Sequence, residues 1–251
     1  MAEFGIWAWV GLYYEIGILI VYSTFLFLVI QRYYEKKNPL TKLLVWVFIF
    51  YALAIVFSIV SKVFNAVWGG VPYLIVDAED LWIIARLHSG RFGFACAIIA
   101  TMITFHFSKK VFEKDIQMKK VLPVQIFGAI IVIFQVVVYE FNTDTGKSNG
   151  TYDILAFVLM FVFMLIVYTP FMYQTLRLKG RIEGDNYKKA FKSLGVMAFA
   201  FMMIFCSFLL DRIMLLTIGW AYSVFYFMAW AFAIVGIISA YLGYIKPKSA
   251  E

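Results

Sequence analysis

Seven long apolar runs follow one another along this chain, each near the 20 residues that a helix needs to cross the hydrocarbon core of a bilayer. They lie near residues 8–31, 42–64, 82–107, 121–140, 152–175, 190–210 and 220–244. Uninterrupted runs lack the in–out alternation of a transmembrane barrel strand, so they predict helices. The fold class is therefore all-α: one polytopic domain over residues 1–251, a seven transmembrane helix bundle. Composition points the same way. The chain is 64% hydrophobic and 15% charged, whereas soluble domains carry about 45–50% apolar and about 25% charged residues. A soluble core of this size has no room for that apolar surface, and lipid must solvate the rest.

The net charge of +7 would fit a nucleic-acid binder, but the placement of the charges argues against one. Most of the 22 Lys and Arg fall in alternate connections: Arg32, Lys36, Lys37 and Lys42; then Lys109, Lys110, Lys114, Lys119 and Lys120; then Arg177, Lys179, Arg181, Lys188, Lys189 and Lys192; finally Lys246 and Lys248. The other connections carry Asp77, Glu79, Asp80, Asp144 and Asp153. By the positive-inside rule the basic side is cytoplasmic, which predicts an N-terminus outside, a C-terminus inside and a multi-pass integral protein of the cytoplasmic or plasma membrane. Glu3 stands where a signal peptide would be basic, so the first run is expected to be a span and not a cleaved leader.

Within lipid the informative residues are the charged ones, because a charge at depth costs several kcal/mol. Counted from the span ends, Glu15, His88, Arg91 and Asp211 all fall in the outer half, with Gln135 somewhat deeper. They form the expected ligand-binding or buried polar cluster, and Glu15 with Arg91 is the expected ion pair. The bland alternative is a structural pair that pins the first helix to the third. The loop near residues 65–81, with Gly69, Gly70 and Pro72 among apolar residues, reads as a lid or an interface-hugging connection. Asn149-Gly150-Thr151 matches a glycosylation acceptor.

Catalytic and metal chemistry lack raw material. His88 and His106 stand five turns apart, about 27 Å at 1.5 Å per residue, too far for one metal. No Ser–His or paired-Asp arrangement lies at mid-depth, and Cys96 and Cys206 both sit inside apolar runs. The reading is a non-enzyme with no metal and no cofactor.

Small residues define two seams: Gly93 and Ala97 in the third helix, Gly236 and Ala240 in the last. Such stripes let helices approach closely in lipid, within the bundle or, for the last helix, as a homodimer seam. Opposite that stripe Trp220, Tyr222, Tyr226 and Trp230 could wall an aromatic cavity. Pro170, inside the fifth run, removes a backbone hydrogen bond and is a candidate helix pivot.

The seven-span plan resembles that of rhodopsins, G-protein-coupled receptors, seven-helix sensor-kinase input domains and 3+1+3 sugar transporters. The resemblance ends at the plan. The last span has no mid-membrane Lys, the third helix ends in His106-Phe107-Ser108-Lys109 without an acidic–Arg–aromatic triplet, Tyr241 to Pro247 contains no Asn-Pro, and no Pro-Gln pair occurs. What remains is a receptor- or sensor-like protein that binds a small or lipidic ligand in the outer half. Its basic loops would meet anionic membrane lipids and a cytoplasmic protein partner. The alternatives are a small carrier or channel of 3+1+3 organisation, and a scaffold subunit.

Overall fold

The computed structural model describes residues 5–68, 86–87, 89–113, 118–137, 141–142, 147–148, 150–180, 182–219 and 222–245. Their architecture is seven helices: α1 (Ile6–Lys36), α2 (Pro39–Trp68), α3 (Arg91–Phe112), α4 (Met118–Val137), α5 (Gly150–Lys179), α6 (Asp185–Ile218) and α7 (Val224–Ala240), the last continued by one π-turn, Tyr241–Ile245. All seven are long and apolar enough to span a membrane, as expected of an integral multi-pass protein. Lipid offers no partner to a backbone N–H or C=O, so each span must satisfy its own, and the helix does. The only strands among the described residues are β1 (Phe141–Asn142) and β2 (Lys147–Ser148), an antiparallel pair joining α4 to α5.

The helices form a closed ring in chain order, α7 returning to α1, and α3 also meets α5. Buried residues make up 56% of the most apolar stretch of α3, against 22% in α1 and α4. Helix α3 is thus the central one, as its small residues predict. Helix α7 is less buried than α6, so its stripe does not make it a second centre.

The contacts of the two glycines explain both seams. A Cβ at Gly93 would lie 2.9 Å from the Ala54 carbonyl oxygen, so α3 rests directly on the backbone of α2. A Cβ at Gly236 would lie 2.5 Å from the Phe201 ring of α6. The α7 stripe is therefore packed against α6 of the same chain, with Ala229, Ala233 and Ala240 buried beside it. Outward faces are apolar instead: Ile126, Ile130, Ile133 and Val137 form one exposed stripe on α4, at the helical spacing of a single face.

The helix ends differ from the expected spans in ways that matter for the site. Helix α2 runs to Trp68, four residues past the expected end, which leaves Lys62 well inside it. Helix α3 starts at Arg91 and not near residue 82, because Gly90 adopts a left-handed conformation (φ 70°) that breaks the chain direction there. Pro170 stands inside α5, where its missing N–H frees the Ile166 carbonyl from the usual bond. Pro123 is the sixth residue of α4.

Candidate functional site

Every helix contributes one end to the region where α1 begins, the N-terminal end of the bundle. Glu15 lies there on the third turn of α1 with 0% of its surface exposed. Its Oε1 accepts three hydrogen bonds: from Lys62 Nζ at 2.5 Å, from the Tyr226 hydroxyl at 2.7 Å and from Ser58 Oγ at 2.9 Å. Ser58 and Lys62 are one turn apart on α2 and bonded to each other at 3.2 Å. Tyr226 belongs to the first turn of α7 and reaches back toward the Gly11 carbonyl at 3.3 Å. One carboxylate thus joins α1, α2 and α7. Its second oxygen, Oε2, is buried and has no hydrogen-bond partner among the described residues.

The ammonium of Lys62 is shielded by aromatic faces, 5.1 Å from the Tyr226 ring centroid and 5.8 Å from that of Tyr222. Such faces attract a cation through the ring quadrupole. Tyr222 holds its place at a conformational cost: its φ is 58°, a left-handed conformation worth roughly 1–2 kcal/mol for a non-glycine residue. Its ring packs over Gly11, where a Cβ would come within 3.0 Å of Cδ1. Burial, followed by the Glu15 carboxylate, pushes the Tyr222 phenol up to about 12, so it stays a neutral dipole at physiological pH.

The expected Glu15–Arg91 pair is not formed. Arg91 donates instead to Gln135 Oε1 on α4 at 2.8 Å, and Gln135 Nε2 donates to the Ala156 carbonyl on α5 at 3.1 Å. The reason is ring order. Helix α2 stands between α1 and α3, so the cation that meets Glu15 comes from α2, and Arg91 turns toward α4. Arg86 extends this second centre by donating to the carbonyls of Val136 and Val137 at the end of α4, a favourable place for a cation.

Asp211, near the end of α6, accepts from the backbone N–H and the hydroxyl of Ser223 at 2.9 and 2.7 Å. Ser223 is the N-cap of α7, its Oγ accepting from Phe225 N–H. Asp211 therefore orients the cap that starts the helix carrying Tyr226, and Asp211 and Arg212 lie within electrostatic range of Lys62. Glu15 and Asp211 share one neighbourhood; Arg91 belongs to another. His88, Glu140, Trp220, the glycosylation triplet's Asn149 and most of the expected lid fall outside the described residues. For the cap, Asp211→Ala is expected to cost about 1–2 kcal/mol. Ser223→Ala should add little on top of it, because both changes break one chain of bonds. Thermal melting of the single and double variants measures this.

A third centre lies at mid-bundle, on residues that the sequence pattern does not single out. Tyr51 of α2 is 2.6 Å from the Tyr168 hydroxyl of α5 and 3.2 Å from Thr101 Oγ1 of α3. Thr101 donates to the Ala97 carbonyl, which uses its one proton. The chain then runs from Tyr168 to Tyr51 to Thr101 by donor count. Phe201 covers it, with ring centroids 5.0 Å from Tyr51 and 5.8 Å from Tyr168. No protein-family model matches the chain, and no curated protein is detectably similar to it in sequence.

Proposed function

We propose that this chain is a receptor- or sensor-like membrane protein whose ligand engages the Glu15 centre through a hydrogen-bond donor. One observation carries the reading: a fully buried carboxylate whose Oε1 is held from two neighbouring helices while its Oε2 has no partner among the described residues. Buried acceptors are rarely left unmatched, and each exception asks for an explanation. The aromatic faces of Tyr222 and Tyr226, which hold the Lys62 ammonium, suit a small amine or a hydroxylated lipid head.

A route for output supports the reading. Tyr226 sits on Glu15, and the Asp211–Ser223 bonds tie its helix to α6. Helix α6 has 34 residues, about 51 Å at 1.5 Å per residue, and its far end carries Lys188, Lys189 and Lys192. These share one end of the bundle with Lys109, Lys110, Arg177 and Lys179, which by the positive-inside rule faces the cytoplasm. A ligand that loosens Tyr226 from Glu15 would thereby bias the position of α6 against α5, where Pro170 weakens the backbone.

A thermal-shift screen of small alkylamines, arylamines and monoacylglycerols against purified protein tests this. The expected result is saturable stabilisation that weakens at least tenfold in Glu15→Gln, about 1.4 kcal/mol. Binding equal in both forms would remove Glu15 from the site. Net uptake of the same compound into proteoliposomes, abolished by Glu15→Gln, would replace the receptor by a carrier, the reading that a buried ionisable pair also favours.

A further inference from the structure

Three buried polar atoms have no hydrogen-bond partner among the described residues: Glu15 Oε2, Trp230 Nε1 and the Tyr22 hydroxyl. They are not scattered. Tyr22 lies seven residues beyond Glu15 on α1, two turns along the same face and about 10.5 Å deeper. Trp230 lies one turn beyond Tyr226 on α7, its indole beside the Tyr226 hydroxyl that touches Glu15 but without the geometry of a full hydrogen bond to it. Trp230 therefore stands between the other two in depth. Tyr22 in turn packs on Phe48 of α2 and lies within electrostatic range of Tyr51 and Tyr168. By their order along α1 and α7 the three groups fall between the Glu15 centre and the mid-bundle hydroxyl chain.

Their chemistry is complementary. A carboxylate oxygen only accepts, an indole N–H only donates, and a phenol does both. Water meets all three demands: it accepts from Trp230, donates to Glu15 and passes a further bond to Tyr22. Buried water in proteins makes about three such bonds to otherwise unmatched groups. At roughly 2.8 Å per hydrogen-bond step, a 10.5 Å separation takes about three molecules.

We propose that ordered water bridges Glu15 Oε2, Trp230 Nε1 and the Tyr22 hydroxyl, forming an internal hydrogen-bonded path from the Glu15 centre to Tyr51, Thr101 and Tyr168. The path ends two residues before Pro170. A change in hydrogen bonding at Glu15 can then reach the weakened part of α5 through water, without displacement of the helices between. A carboxylate oxygen has two lone pairs, so Oε2 can accept from the bridging water and from a ligand donor together, and the path stands whether or not Glu15 binds a ligand.

Radiolytic hydroxyl-radical labelling of the purified protein in ¹⁸O-water tests it, because ordered internal water produces the radical beside buried side chains. Tyr22 and Trp230, only 3% and 6% exposed, are expected to be labelled well above the apolar Phe163 and Phe107, which are 0% and 1% exposed, and well above what their own small exposure allows. A second arm uses Tyr22→Phe. If water holds the hydroxyl, its loss should lower the melting temperature by about 2–4 °C. Removing an unmatched hydroxyl should leave the temperature unchanged or raise it. Labelling of Tyr22 and Trp230 no stronger than that of Phe163, with an unchanged or raised melting temperature, would overturn the path.

Discussion

Lys62→Met is expected to destabilise the bundle by about 3–5 kcal/mol, more than loss of the helix cap or of either glycine seam. The cost comes from what it leaves behind. With Lys62 gone, the Glu15 carboxylate keeps, among the described residues, only the Ser58 and Tyr226 hydroxyls and stays fully buried. Two unit charges 4 Å apart attract by about 4 kcal/mol at an effective dielectric of 20, while taking each ion out of water costs several kcal/mol. The intact pair is near balance, and only the broken pair is expensive. Glu15→Gln/Lys62→Met should therefore recover most of the loss. Denaturant or thermal melting in detergent checks both, and a double variant less stable than Lys62→Met would count against the pair. Arg91→Met supplies the contrast: it breaks the bond to Gln135, and its effect should add to that of Glu15→Gln, because the two sites share no bond.

How much of this is legible in the sequence depends on where the helix ends are drawn. The spans, the basic end of the bundle and the central place of α3 follow from apolar length, charge placement and small residues, which are local properties. The partner of Glu15 is not legible. With α2 expected to end near residue 64, Lys62 reads as an interfacial lysine; with α2 continuing to Trp68, it is about two turns inside and must find an anion. Arg91 errs in the opposite direction. Gly90 at φ 70° starts α3 beside it, so it caps the end of the bundle and does not lie deep in a long helix. Asp211 reads from the sequence as a ligand residue, yet its bonds go to the N-cap of the next helix; the signal is the short distance in sequence to Ser223. The Tyr51–Thr101–Tyr168 centre gathers residues up to 117 positions apart, which no local pattern can join. Its signal is nonetheless present, since a tyrosine in the middle of an apolar span must match its hydroxyl.

Three glycines in the same bundle should respond to alanine with different signs, and the difference tests the packing directly. Gly93→Ala brings a methyl to 2.9 Å from the Ala54 carbonyl oxygen. That atom is backbone and cannot turn aside, so α3 must lift off α2, at about 1–3 kcal/mol. Gly236→Ala meets the Phe201 ring at 2.5 and 2.6 Å. A ring with free space around it would swing away, but this one is packed against Tyr51 and Tyr168. A cost of the same size is therefore expected, together with disturbance of the mid-bundle hydroxyls. Gly17 faces outward with nothing within 4 Å. There alanine meets no neighbour and restricts the unfolded chain, so Gly17→Ala should stabilise by about 0.5–1 kcal/mol. The melting order Gly17→Ala above wild type above Gly93→Ala and Gly236→Ala is the expected result. If Gly236 lay on a seam between two copies of the chain, its alanine variant would melt like wild type as a monomer and differ only in oligomeric state. Size-exclusion chromatography coupled to light scattering, run beside the melts, separates the two outcomes. A loss of fold stability without a change of mass is what α6 packed on Gly236 requires.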